Sequence, residues 1–191
     1  MNLKEIELRY GKPKEFEVEI EMGEWEFGVL RESQRDGRSS DVTLFILVDG
    51  QVVVIQKPFH PAGVYRAPSG GIIPGEGIEE TAKREALEET GLMIELKRYL
   101  LRAKPTFICK DEKIKWTSHV FLAIKQGGEL KPQDTREIKE VKLVTIEELQ
   151  TKIRDKLIKS GSGGLLYRAM LTDAALASLR TSFLNTSPRS E

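Results

Sequence analysis

Three glutamates, Glu85, Glu88 and Glu89, sit three and one residues apart. In a helix, at about 100° per residue, they fall within an arc of about 100° and share one face. A charge run of this kind is commonly a solvated face. Here, however, neither Glu85 nor Glu88 has a basic residue four positions on, and like-charged pairs at that spacing cost roughly 0.2–0.5 kcal/mol each. A divalent cation would reverse the cost. Hard Mg²⁺, or Mn²⁺ in its place, takes oxygen ligands and keeps several waters, which leaves positions for substrate phosphates. Such an ion would neutralise a diphosphate and lower the pKa of an attacking water. Gly70 and Gly71, just upstream, would let backbone carbonyls approach the same site.

The elements that must hold these residues follow from local pattern. Residues 78–90 read as a helix: Ile78, Ala82 and Ala86 form a stripe, Glu79 and Glu80 suit the helix start, and Gly91 suits the left-handed closing position. Before it, residues 58–77 are dense in Pro and Gly and predict a long irregular loop. Residues 41–57 predict a hairpin, because Asp49-Gly50 between β-branched runs is the chemistry of a tight turn. Phe16, Val18, Ile20 and Met22 alternate with glutamates as a half-buried strand, and a second strand is expected over residues 25–30. Further strands are expected at residues 93–101, 114–124 and 141–144. Thr145 caps a helix to about Lys159, and another helix runs from Leu165 to about Leu179, before a tail expected to fray beyond Asn185. The sum is an α/β fold: a mixed β-sheet sandwiched by helices, with an N-terminal β extension (1–40), a core (41–150) and a helical closing segment (151–191) packed on the core.

Gly70, Glu76 and the run Arg84-Glu85-Ala86-Leu87-Glu88-Glu89-Thr90-Gly91-Leu92 resemble the Nudix box, matching all seven invariant slots; Ala86, smaller than the usual aliphatic residue, is the one mild departure. Residues 41–149 are more loosely similar to a Nudix domain. The resemblance implies that Glu85 and Glu89 are the principal metal ligands, with Glu88 binding a further ion or a bridging water and backbone oxygen near Ser69 and Gly70 completing the shell. Arg84 would hold Glu76 and orient the carboxylates, while Gly91 closes the helix. It also implies hydrolysis of a nucleoside diphosphate linked to another group, with the box fixing the reaction better than the substrate. The base for the attacking water is expected in a late acidic loop at Asp134 or Glu137, with Glu137 preferred, or among the box glutamates.

Around the box, Arg66 either contacts phosphate or is a surface arginine. Tyr65, Phe107, Trp116 and Phe59 either stack on a base or pack in the protein. His60 and His119, with no ligand partners at metal spacing, read as structural. Pro105 lies near a proline position of some nucleotide-sugar hydrolases but lacks their neighbouring Ser-Pro-Gly pattern. The resulting expectation is an ADP-ribose or nucleotide-sugar pyrophosphatase. The alternatives are a triphosphate or dinucleoside polyphosphate hydrolase, and a non-catalytic nucleotide sensor.

With 30 basic and 30 acidic residues the chain is formally neutral, which argues against a dedicated nucleic-acid or anionic-membrane partner. The segment from Thr151 is nevertheless locally basic. The single cysteine, Cys109, excludes an internal disulfide framework and suits the cytoplasm. No leader and no membrane span is expected. The apolar face of residues 16–22 needs a cover, either from a homodimer that exchanges the N-terminal strands or from pairing within one chain.

Overall fold

The computed structural model describes residues 3–185, with side chains described up to Leu179; the tail beyond Asn185 lies outside them. Its strands are β1 (Lys14–Glu21), β2 (Ser40–Val48), β3 (Gln51–Gln56), β4 (Ser69–Gly71), β5 (Leu92–Cys109), β6 (Glu112–Lys115), β7 (Thr117–Gly128) and β8 (Glu140–Val144). The helices are α1 (Leu3–Tyr10), α2 (Glu24–Arg35), α3 (Ile78–Thr90), α4 (Ile146–Glu148), which runs through a π turn (Leu149–Ile153) into α5 (Arg154–Lys159), and α6 (Gly163–Asn185). The sheet runs β1-β5-β7-β2-β3-β8, with β4 paired to β2 and β6 to β5. Pairs β1/β5 and β2/β7 are parallel and the others antiparallel, so the sheet is mixed, as expected.

The sheet is covered on both faces, and β2 shows how. Val42, Leu44 and Ile46 point into one apolar cluster with Ala82 and Ala86 of α3 and Ile6 of α1. Phe45 points into the other, with Phe27 of α2 and Leu165, Ala169 and Leu176 of α6. A strand buried on both sides reads as a near-continuous apolar run, which is what residues 42–48 are apart from the buried Thr43. The β2–β3 hairpin turns at Asp49 and Gly50, both at positive φ (49° and 80°), as its sequence predicts.

The second strand expected at residues 25–30 is instead the first half of α2. A strand would place Trp25, Phe27 and Val29 on one face, but only Phe27 is buried, and Leu30, three residues on, packs against the same cluster. Glu24 and Glu26 in the first turn favour the helix start. The N-terminal extension is therefore two helices flanking one strand. The strand expected to stop at Leu101 continues through Pro105 to Cys109. Pro105 is tolerated because it falls in the gap where β5 changes partner, between Ala103 opposite Ser118 of β7 and Thr106 opposite Lys115 of β6. Of the two covers expected for the apolar face of β1, the single chain shows the internal one: β1 pairs with β5 from Lys14 to Glu21 and buries Ile20 in the core shared with α2 and α6. No described helix is long and apolar enough to cross a membrane.

Candidate active site

The loop between β3 and α3 is stitched to the sheet before it reaches the helix. Arg66 and Ile55 exchange both backbone hydrogen bonds, Leu44 N–H donates to the Pro68 carbonyl, and β4 pairs with β2. These bonds fix Ser69 and Gly70 beside α3. The helix is drawn onto the sheet by Ala82 and Ala86, both fully buried, so the small residue at 86 lies in the packed face. It ends at Gly91, φ 76°, whose N–H donates to the Leu87 carbonyl; a side chain there would also collide with the backbone oxygens of Glu129 and Lys131.

Of the three glutamates on α3, two are buried and one is not. Glu89 is 3% exposed and accepts the Ser69 N–H at 2.8 Å. Two cations face it: Lys57 Nζ at 3.4 Å and Arg66 at 3.5 Å. Glu85 is buried beneath Gly70, so closely that a β-carbon at residue 70 would overlap its carboxylate. Burial, reinforced by the charge on Glu89, pushes the Glu85 carboxyl up to about 7. The Glu88 side chain is half-exposed and pairs with Arg84 at 3.1 Å.

Arg84 organises this face. Its guanidinium donates to both Glu76 oxygens at 2.8 and 2.9 Å, to Glu85, to Glu88 and to the Gly71 carbonyl. Hydrogen bonds from Arg84, against some opposing burial, hold Glu76 at about 2, and Arg84 is raised in turn. The expected Arg84–Glu76 pair is thus present, and it ties the loop to the helix.

Among the described residues, no three His, Cys, Asp or Glu side chains are grouped as a ready-made metal centre. The carboxylates are instead engaged by Arg84, Lys57 and Arg66. The chemistry of the donor set still suits a hard divalent cation: carboxylate oxygens beside a glycine backbone kept open by the absence of a β-carbon, with a buried like-charge pair to neutralise.

The late loop comes to the same place. Lys131 N–H donates to the Thr90 carbonyl, Gln133 N–H to Glu88, and Lys139 N–H to Gln56, so the loop spans from the end of α3 to the end of β3. Glu137 lies 3.5 Å from Lys57, which thereby bridges Glu137 and Glu89. Asp134 is turned to its own loop, where hydrogen bonds from Arg136 hold it at about 2.

Around the box, Arg66 departs from both of its readings, while Tyr65, Phe107 and Trp116 take the packing reading rather than the stacking one. Arg66 is neither exposed nor free to take phosphate, because it is buried behind Glu89 and donates to the Ala67 carbonyl and Ser69 Oγ, each at 2.8 Å. Tyr65 is turned toward β8, its hydroxyl on Glu140 at 2.7 Å and Lys142 3.7 Å from its ring centre. Phe107 and Trp116 are enclosed in the core, Phe107 edge-to-face with Tyr167. The reason is common to both: β5 and the segment entering β7 have helices over them, which leaves no ring face for a base. Phe59 does remain exposed. His119 is buried on Tyr99, and His60 accepts the Lys57 N–H in a turn, both in the structural role expected. Burial, first, and the nearby cations Arg66 and Lys57 push His60 down to about 4. Lys57 carries no signal in the sequence, since a lone lysine after a strand has no spacing to mark it.

With this geometry established, comparison with known proteins gives a consistent result. A family model described as the NUDIX domain matches residues 37–161. An NAD-capped RNA hydrolase, NudC, from Vibrio cholerae is 33% identical over 99 residues, 52% of this chain and 34% of that protein. The chain spans about a third of the length of the curated relatives it matches. A NUDIX hydrolase from Nitrosomonas europaea shares the fold with a TM-score of 0.55 at 20% identity, covering 75% of this chain and 89% of that one. An ADP-ribose pyrophosphatase from Streptococcus suis shares it with a TM-score of 0.50 at 16% identity, covering 80% and 96%. The matched domain contains the whole box from Gly70 to Leu92, the buried glutamates and the arginine that holds them, and the chain belongs to the Nudix family.

Proposed function

We propose that the chain is a divalent-metal-dependent pyrophosphohydrolase that cleaves a nucleoside diphosphate linked to another moiety, with ADP-ribose or a nucleotide sugar as substrate and a nucleoside monophosphate and a sugar phosphate as products. The observation that carries the reading is the burial of Glu85 and Glu89 together on one face of α3, with the Gly70 backbone laid against Glu85. Two buried carboxylates this close are costly unless positive charge serves them. Glu85, Glu89 and the Gly70 backbone would hold Mg²⁺ or Mn²⁺, with the exposed Glu88 available to a further ion. A bound cation of this kind supplies charge neutralisation at the diphosphate and a more acidic water.

The chain's own residues do the rest. Arg84 keeps Glu85 and Glu88 oriented and locks the loop through Glu76. Lys57, between Glu89 and Glu137, sets the distance of the late loop from the helix. Glu137 is the general base in this reading, since it is the late-loop acid that reaches the site. The ADP-ribose choice is supported by the substrate named for the Streptococcus suis protein of the same fold, and the diphosphate class also covers the NAD cap named for the Vibrio cholerae relative. The unpaired Cys109 suits a reducing, cytoplasmic setting.

The test is a panel of ADP-ribose, ADP- and UDP-sugars, NAD, ATP and diadenosine polyphosphates with Mg²⁺ and Mn²⁺, products resolved by chromatography. ADP-ribose or an ADP-sugar yielding AMP, at a kcat/KM above that of ATP, is the expected result. Preference for a triphosphate with pyrophosphate released would replace the substrate while keeping the reaction. Nucleotide binding without turnover would make the chain a sensor.

A further inference from the structure

Trp25 and Phe59 come from distant parts of the chain, the first turn of α2 and the loop after β3. They meet edge to face with ring centres 5.7 Å apart. Both are exposed, at 66% and 63%. Isolated exposed apolar side chains need no explanation, whereas two large aromatic residues gathered at one surface point make a shared apolar surface. His60 extends the group, with its ring 5.0 Å from Phe59 and nearly perpendicular to it.

The exposure of Trp25 does not come from a loose helix end. Glu24 pairs with Lys110 at 2.5 Å. The Glu26 carboxylate accepts from the Ser162 hydroxyl and the Gly163 N–H at the start of α6. Phe27 is in the core. The backbone on both sides of Trp25 is therefore fixed while the indole projects from it.

The aromatic group also adjoins the acidic site. Lys57, the residue facing Glu89, is two residues before Phe59, a span of at most about 7 Å between Cα atoms. The intervening turn is closed by the His60 N–H on the Lys57 carbonyl, 3.0 Å, and the Lys57 N–H on His60 Nδ1, 3.3 Å. Lys57 at the head of this turn meets Glu89, and Phe59 within it meets Trp25, an arrangement matched to a ligand with phosphate at one end and a flat apolar ring at the other.

We infer that Trp25 and Phe59 form a base-recognition corner that takes the nucleobase of the nucleotide whose phosphates face the α3 glutamates. The inference rests on the pyrophosphohydrolase reading. Aromatic stacking accepts any base, because every base has a π-face, so the corner contributes affinity for nucleotides over base-free phosphates more than choice among bases. Trp25 precedes the residues matched by the family model, 37–161, so this half of the corner is supplied by the N-terminal segment.

The experiment is titration of the full chain, in Mg²⁺, with AMP, GMP, UMP and CMP on one side and ribose 5-phosphate on the other. Calorimetry gives Kd, and light scattering and thermal melting are run on the same samples. Trp25→Ala and Phe59→Ala are each expected to raise Kd for the nucleotides about tenfold, with the ribose 5-phosphate Kd retained, and Trp25→Phe to recover most of the loss. Nucleotide Kd values untouched by either alanine variant would overturn the inference, as would an equal loss for ribose 5-phosphate. A dimer that dissociates in Trp25→Ala would also overturn it, giving the corner to a second copy. These titrations read binding rather than turnover, so they decide the base corner separately from the hydrolysis panel.

Discussion

Gly70 and Glu85 occupy each other's space: a β-carbon on the first would overlap the carboxylate of the second. The atoms in conflict are the far end of a flexible side chain, so a larger residue at 70 would push the carboxylate aside and leave the backbone in place. Gly70→Ala is therefore expected to lower kcat/KM at least about tenfold while shifting Tm by less than about 4 °C, an effect below about 1 kcal/mol for a domain of this size. Hydrolysis assays and a thermal melt on one preparation check this. A large drop in Tm would show that Gly70 serves the fold instead.

The Arg84–Glu76 pair makes a pH-dependent contribution of definite sign. Glu76 is held at about 2, against an ordinary value of 4.5. Its stabilisation is therefore complete above pH 4.5 and is lost as the pH falls toward 2, with an upper size of about 3 kcal/mol. Urea unfolding of Glu76→Gln should give a stability deficit at pH 7 that narrows on acidification below 4.5. Because Arg84 also orients Glu85 and Glu88, the same variant should lose about tenfold or more in activity at pH 7.

His119 tests a different pH window. Burial, the dominant cause, moves it down to about 4 from 6.5, and its Nδ1 meets the Tyr99 hydroxyl. Protons bind the unfolded chain first, so this residue costs nothing above pH 6.5 and progressively destabilises the fold as the pH falls to 4, by roughly 3 kcal/mol at the limit. His119→Asn should flatten the unfolding free energy between pH 6.5 and 4, a slope that equilibrium denaturation measures directly.

These relationships divide into those written in local spacing and those that are not. The helix from Ile78 to Thr90 and its closure at Gly91 are set by residues close in sequence and could be read from it, whereas the Arg84–Glu76 pair follows from the resemblance to the Nudix box. Residues 25–30 read as a strand because Trp25, Phe27 and Val29 fit a period of two over six positions, while in α2 the burial of Phe27 and Leu30 obeys the helical period. Lys57 meets Glu89 from the end of β3, and Arg66 is buried where its backbone is bonded to Ile55; neither long-range relationship has a sequence signature. Phe107 and Trp116 carried the right chemistry for stacking on a base, but helices cover the sheet there, and coverage is a tertiary property.

The central claim is that the buried carboxylates of α3 carry metal-dependent phosphoanhydride hydrolysis, and Glu89→Gln tests it most directly. Glutamine has nearly the same shape and keeps an oxygen for the Ser69 N–H, so circular dichroism and elution volume should match the native chain. Activity on ADP-ribose with saturating Mg²⁺ should fall about 10³-fold, equivalent to roughly 4 kcal/mol of lost transition-state stabilisation. Native-like turnover by the folded Glu89→Gln chain, or by the native chain in excess chelator, would contradict the claim.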